Sequence, residues 1–142
     1  MASYQQERNE ELYKRVYLAM LLPHIRNLND AILYAVNHEC SRFYVSYEDA
    51  WRYVYAKERG KETKRVIKKI KYIMDIIYDK YIKQRTIETS TKPIDTFTAV
   101  FFSPAPCFFL SFNQAKRIVG KMRSERRAQK KAGYVVRQKN II

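Results

Sequence analysis

The chain has 142 residues, enough for one modest core, and its 46% hydrophobic and 14% aromatic content is too apolar for disorder. Its 28 Lys and Arg against 14 Asp and Glu leave a formal charge of +14, which points to a polyanionic partner or an acidic neighbouring protein, with a merely solvated basic surface as the alternative. Three glycines leave no room for a dinucleotide fingerprint or a phosphate-cradling loop; two cysteines without a signal peptide read as thiols in a reducing compartment; no uninterrupted apolar run is long enough to span a bilayer.

From the N-terminus, "YQQERNEELYKRVYLAMLL" spaces Leu12, Val16, Ala19 and Met20 as a helix that Pro23 closes or kinks. "NDAILYAVNHE" follows as a second helix, capped by Asn29 or Asp30, with Ile32, Ala35 and Val36 on one face. A short strand is expected at Arg42 to Val45. Ser46 then caps a third helix, with Glu48 and Asp49 in its first turn and Gly60 at its stop. Residues Glu62 to Arg85 form the clearest helical pattern. Val66, Ile70, Ile73, Met74, Ile77 and Tyr81 make its apolar stripe, and Lys64, Lys68, Lys69, Lys71 and Lys80 occupy its other faces. "TIETSTKP" reads as a polar connector.

Sliding the sequence against itself by 65 positions sets Tyr13 on Tyr78, Asp30 on Asp95, Phe43 on Phe108, Ser46 on Ser111, Ala50 on Ala115, Arg52 on Arg117 and Val54 on Val119. The apolar spacing follows, Ile32, Ala35 and Val36 falling on Phe97, Val100 and Phe101. The expected architecture is mostly α with short β-strands, a helical domain at 1–132 built from two tandem helix-helix-strand-helix repeats at about 10–60 and 75–127. Each strand phrase, "RFYVS" and "CFFLS", leads into a helix whose capping serine satisfies orphan amides, and each lone strand needs a partner in the other copy or a neighbouring subunit.

Catalytic patterns are weak. Ser46 and Ser111 lack an obvious His and carboxylate and read better as caps. His38, Glu39 and Cys40 have no second cluster to complete a tetrahedral metal set, so no metal and no cofactor is expected. Adjacent carboxylates such as Glu48 and Asp49 diverge on a helix instead of converging on a substrate.

The basic runs carry more information. Lys64, Lys68 and Lys71 lie on the long helix, and Lys121, Arg123, Arg126, Arg127, Lys130 and Lys131 dominate the last one, where Glu125 is almost the only compensating acid. Either run suits a phosphate backbone or an acidic protein surface. Residues 133–142 form an apolar and basic tail of strand-like composition that folds back or adds to a neighbour's sheet edge. Candidate oligomer contacts are therefore Phe43, Tyr44, Phe108 and Phe109 in the strand phrases, with Tyr134, Val135, Val136, Ile141 and Ile142 in the tail. Base stacking on Tyr44, Tyr47 or Trp51 is a further alternative that requires exposed rings.

The phrases "RNEELYKRV", "RFYVSYEDAWR" and "SPAPCFFLSFNQAKR" together resemble small basic proteins of crAss-like bacteriophages and related mobile elements. In those an opening Arg-Asn helix precedes a Pro-Ala-Pro-Arg-Phe-Tyr-hydrophobic-Ser segment. Here Pro104, Ala105 and Pro106 fit while Cys107 replaces the Arg; in the first copy Arg42 fits and the prolines are absent. The resemblance covers about a third of the chain, brings no catalytic residues with it, and implies a phage or mobile-element setting.

The resulting expectation is a non-enzymatic virion structural protein, a basic oligomeric subunit such as a portal or tail ring or adaptor. It would be assembled in the host cytoplasm and would contact other virion proteins, its basic helix meeting either DNA or an acidic partner, with no membrane and no small-molecule substrate. The alternative is a small basic DNA-binding regulator whose strand-helix motif reads bases through Arg42.

Overall fold

The computed structural model describes residues 3–61 and 68–141, with 133–141 as backbone. Six helices appear among them: α1 (Tyr4–Ala19), α2 (Leu28–Val36), α3 (Tyr47–Glu58), α4 (Lys68–Ile87), α5 (Pro93–Phe101) and α6 (Phe112–Ile141). No sheet forms among the described residues; a single antiparallel bridge joins Cys40 to Ala105, with reciprocal amide-to-carbonyl bonds of 3.1 and 3.0 Å.

Local chemistry accounts for the helix ends. Asn27 caps α2, its side chain accepting from the Asp30 amide at 2.9 Å, so the cap lies just before the Asn29 and Asp30 that the sequence pattern favours. Ser46 and Ser111 act as expected: Ser46 Oγ accepts from the Asp49 amide at 3.3 Å and Ser111 Oγ from the Gln114 amide at 3.1 Å. Gln114 Oε1 accepts in return from the Ser111 amide at 3.0 Å, a reciprocal capping box. At the end of α3, Gly60 sits at φ +74°. Its amide donates to Lys57 O and the Lys61 amide to Ala56 O, the paired bonds of a Schellman stop.

The register found by self-comparison recurs in these elements. α2 and α5 span 28–36 and 93–101, α3 and α6 begin at 47 and 112, and the bridge pairs 40 with 105, each pair 65 residues apart. The interior repeats as well: Ala31 and Thr96, Ile32 and Phe97, Ala35 and Val100, Val36 and Phe101, Ala50 and Ala115, and Val54 and Val119 are all buried.

The chain divides into two compact units. One holds α3, α4 and α5 with the first residues of α1; the other holds the remainder of α1, α2 and α6. On the 65-residue register α4 and α5 fall on α1 and α2, and α6 falls on α3, so one unit joins α4 and α5 to α3 and the other joins α1 and α2 to α6. In the first unit α3 packs on α4 and α5, and Tyr47 Oη lies 2.7 Å from Thr98 Oγ1. In the second α6 packs on α2. Tyr13 and Tyr78, 65 residues apart, each receive a cation from another helix of their own unit, Arg126 of α6 at 4.3 Å from the first ring and Lys57 of α3 at 4.7 Å from the second.

Several expectations are corrected. The strand at Arg42 to Val45 and its counterpart at the second phrase do not form. The phrases meet through side chains instead of a ladder: Tyr44 stacks on Phe108 with ring centroids 6.3 Å apart, Phe43 on Phe109 at 6.4 Å, and Phe109 turns the chain out of any strand at φ 55°. Residues 133–141 continue α6 as helix, so the strand-like tail is overturned as far as Ile141. On α4 the buried stripe is Ile73, Met74, Ile77 and Tyr81, whereas Ile70 is exposed. Val66, Lys64 and Ile142 lie outside the described residues.

Gly120 sits inside α6 on an exposed face, and a Cβ built there meets nothing within 4 Å. With no conformational reason for glycine, Gly120→Ala is expected to raise stability by about 0.5–1 kcal/mol in thermal or urea unfolding. A loss of stability would mean that another surface covers this face.

Candidate polyanion-binding surface

α6 buries Ala115 and Val119 and leaves Phe112, Ile118, Met122 and Arg123 half-buried, a stripe at helical spacing that turns the rest of the helix outward. Lys116, Arg117, Lys121, Arg126, Arg127, Lys130 and Lys131 are exposed. Among the described residues none of them enters a salt bridge, because Glu125 is the only acid of the helix and no carboxylate from a neighbouring element reaches them. Arg126 spends part of its guanidinium on Tyr13. The remaining cations, with exposed Glu125 as the one acid among them, give the exposed part of α6 a strong positive excess, the arrangement that displaces counterions from a phosphate backbone.

The other sequence candidates fare differently. Lys68 and Lys71 are exposed on α4, in the unit that does not contain α6, and Lys71 also acts on the nearby Asp75 carboxylate. Phe43 and Phe108 are 0% and 3% exposed, packed inside their own chain, which removes them as oligomer contacts. Tyr44 and Phe109 are half-buried against the same rings. Tyr134, Val135, Val136 and Ile141 lie on the last turns of α6.

Arg42, the one side chain offered for base reading, is held in place. It donates to Glu7 Oε2 at 3.0 Å, and its guanidinium lies 4.9 Å from the Phe102 ring and 5.3 Å from those of Phe101 and Tyr44. Trp51 and Tyr47 pack on Phe97, so neither ring stands clear as a stacking platform.

His38 and Glu39 are exposed, while Cys40 is buried with its thiol donating to the carbonyls of Arg42 and Cys107 at 3.2 and 3.3 Å. Among the described residues no group of three His, Cys, Asp or Glu side chains is placed to hold a metal ion, and no helix is long and apolar enough to cross a membrane.

Two polar clusters were not anticipated. Tyr53 donates its hydroxyl to Asp75, which also receives Lys57 Nζ at 2.8 Å. Partial burial works against the Asp75 charge, but the bonds from Lys57 and Tyr53 and the charges of Lys57 and Lys71 outweigh it and hold the carboxyl below its ordinary range. Burial first, and the carboxylate second, push the Tyr53 hydroxyl well above the usual phenol range. Lys80, placed on a solvated face by sequence pattern, is half-buried with its ammonium 5.4 Å from the Phe43 ring. The only advance sign of that was its position between Ile77 and Tyr81.

No protein-family model matches the chain, and neither curated proteins nor solved structures give a significant match.

Proposed function

We propose that this protein is a non-enzymatic, basic assembly component that lays the outward face of α6 along a polyanion, with packaged DNA in a phage-like particle as the leading partner. The observation that carries the reading is the run of exposed cations from Lys116 to Lys131, without salt bridges to offset them. Each backbone phosphate that such a face neutralises steepens the salt dependence of binding by roughly 0.9 in log–log slope.

The virion setting, as a portal or tail ring or adaptor subunit, rests on the resemblance of the "PAPCFFLS" and "RFYVS" phrases. With Phe43 and Phe108 packed inside, the proposed contacts between subunits move to the end of α6. Light scattering on a chain ended after Ala132 tests that part: a smaller assembly supports it, and an unchanged mass removes it. A tandem duplication is the economical origin of the 65-residue register, supported by the matched helix starts, caps and buried positions.

The test of the polyanion reading is a salt titration of binding to a random-sequence duplex, followed by anisotropy. Arg127→Gln, Lys130→Gln and Lys131→Gln together are expected to lower the slope by two to three and to weaken binding about equally on every sequence. Unchanged affinity and slope in this triple variant would overturn the assignment of α6 as the contact surface.

A further inference from the structure

A cleft of about 420 Å³ is lined by Lys80, Lys83, Gln84, Ala99, Val100 and Ser103, residues of α4, of α5 and of the turn after α5. Its volume is that of a small-molecule site, larger than a bare oxyanion fills. Two lysines about one helical turn apart line it, and no acidic residue is among its walls.

Lys80 is already ordered there. Its Nζ donates to the Pro104 carbonyl at 2.8 Å and to Ser103 Oγ at 3.4 Å over the face of Phe43, so the cost of immobilising a long cationic side chain is met by the fold. An ammonium has three N–H donors, and these two acceptors leave one for a ligand. Lys83 is exposed and its ammonium makes no hydrogen bond or ion pair among the described residues. Gln84 adds an amide, and Ala99 and Val100 supply an apolar wall.

We infer that this cleft binds a phosphate monoester of nucleotide size, its phosphate between the Lys80 and Lys83 ammonium groups and its body against Ala99 and Val100. Phosphate is favoured over carboxylate because the cations are both lysines. Point charges suit a tetrahedral oxyanion, whereas a planar carboxylate is matched by the arginine fork, which the cleft lacks. The site binds a ligand and offers no group for chemistry upon it. It stands independently of α6, which belongs to the other unit.

The experiment is a nuclear magnetic resonance titration of the full chain at constant ionic strength, with adenosine monophosphate, inorganic phosphate and adenosine as probes. Adenosine monophosphate is expected to shift the amides of Ala99, Val100 and Ser103 saturably, inorganic phosphate to shift the same amides with weaker affinity, and adenosine to leave them unmoved. Lys83→Met, which removes no contact of the fold, should weaken the monophosphate at least tenfold, and Lys121→Gln on α6 should not change it. Lys80→Met, read in the same way where it folds, should abolish saturation. Shifts that stay linear and spread equally over α6, equal responses to adenosine and its monophosphate, or an unaffected Lys83→Met variant would each overturn the site.

Discussion

Phe97→Ala is expected to destabilise the unit containing α3, α4 and α5 by about 3–5 kcal/mol, the cost of emptying a fully buried phenyl site. Phe97 holds the aromatic interior of that unit: its ring centroid lies 5.3 Å from Tyr47, 5.1 Å from Trp51 and 5.7 Å from Phe101, joining α3 to α5 through tilted contacts. The neighbours cannot close the gap cheaply, because Tyr47 is fixed by its contact with Thr98 and Phe101 is itself fully buried. The measurement is simple because Trp51 is the only tryptophan, so its fluorescence reports this unit alone. A shift in its urea midpoint corresponding to less than about 1.5 kcal/mol would show that the cluster repacks and that Phe97 is not its centre.

The second large effect is expected at Asp75. Removing its carboxylate in Asp75→Ala leaves the largely buried Tyr53 hydroxyl without its acceptor and Lys57 without its counter-charge, at a cost of about 1–3 kcal/mol. The side chain is about a third exposed, so solvent screening keeps the value towards the lower end.

pH gives the sharper test. The folded Asp75 carboxyl ionises below its ordinary value of 3.8, so its contribution is complete above that value and is lost as pH falls through the folded one. The folded Tyr53 hydroxyl ionises above its ordinary value of 10.0, so its contribution is complete below that value and is lost as pH rises towards the folded one. Wild type minus Asp75→Asn stability should therefore be flat between roughly pH 5 and 9 and shrink on both sides. A difference that stays constant down to pH 2 would show that the carboxylate is not held in its charged form.

Much of the interior was legible because burial leaves a mark on residue type. The small Ala50 and Ala115, the branched Val54 and Val119, and the rings at 43 and 108 fall on the 65-residue register and are all buried. Ser46 and Ser111 were legible because a hydroxyl before an acidic or amide-rich first turn has a specific task.

The strands were not legible, since a short aromatic run has the composition of a strand whether it is satisfied by a ladder or by ring stacking. The end of α6 was misread for the same reason: "YVV" favours a strand locally, and the continuation of a long helix overrides it. Nor does an apolar face reveal its partner. The stripe on α3 is the same whether it meets α1 and α2 or α4 and α5, and the exchange of partners that sets α3 on α4 and α5 and α6 on α2 is invisible in periodicity.

The same exchange has a consequence for synthesis. The unit of α3, α4 and α5 is drawn almost wholly from one contiguous stretch, residues 38–109, and the Cys40–Ala105 bridge ties the beginning of that stretch to its end. The other unit needs residues 9–37 from the start of the chain and 110–142 from its end. On the ribosome α2 and most of α1 emerge ahead of α6, on which their unit depends, while residues 38–109 can close in between, so residues 9–37 are made well before the helix that completes their unit.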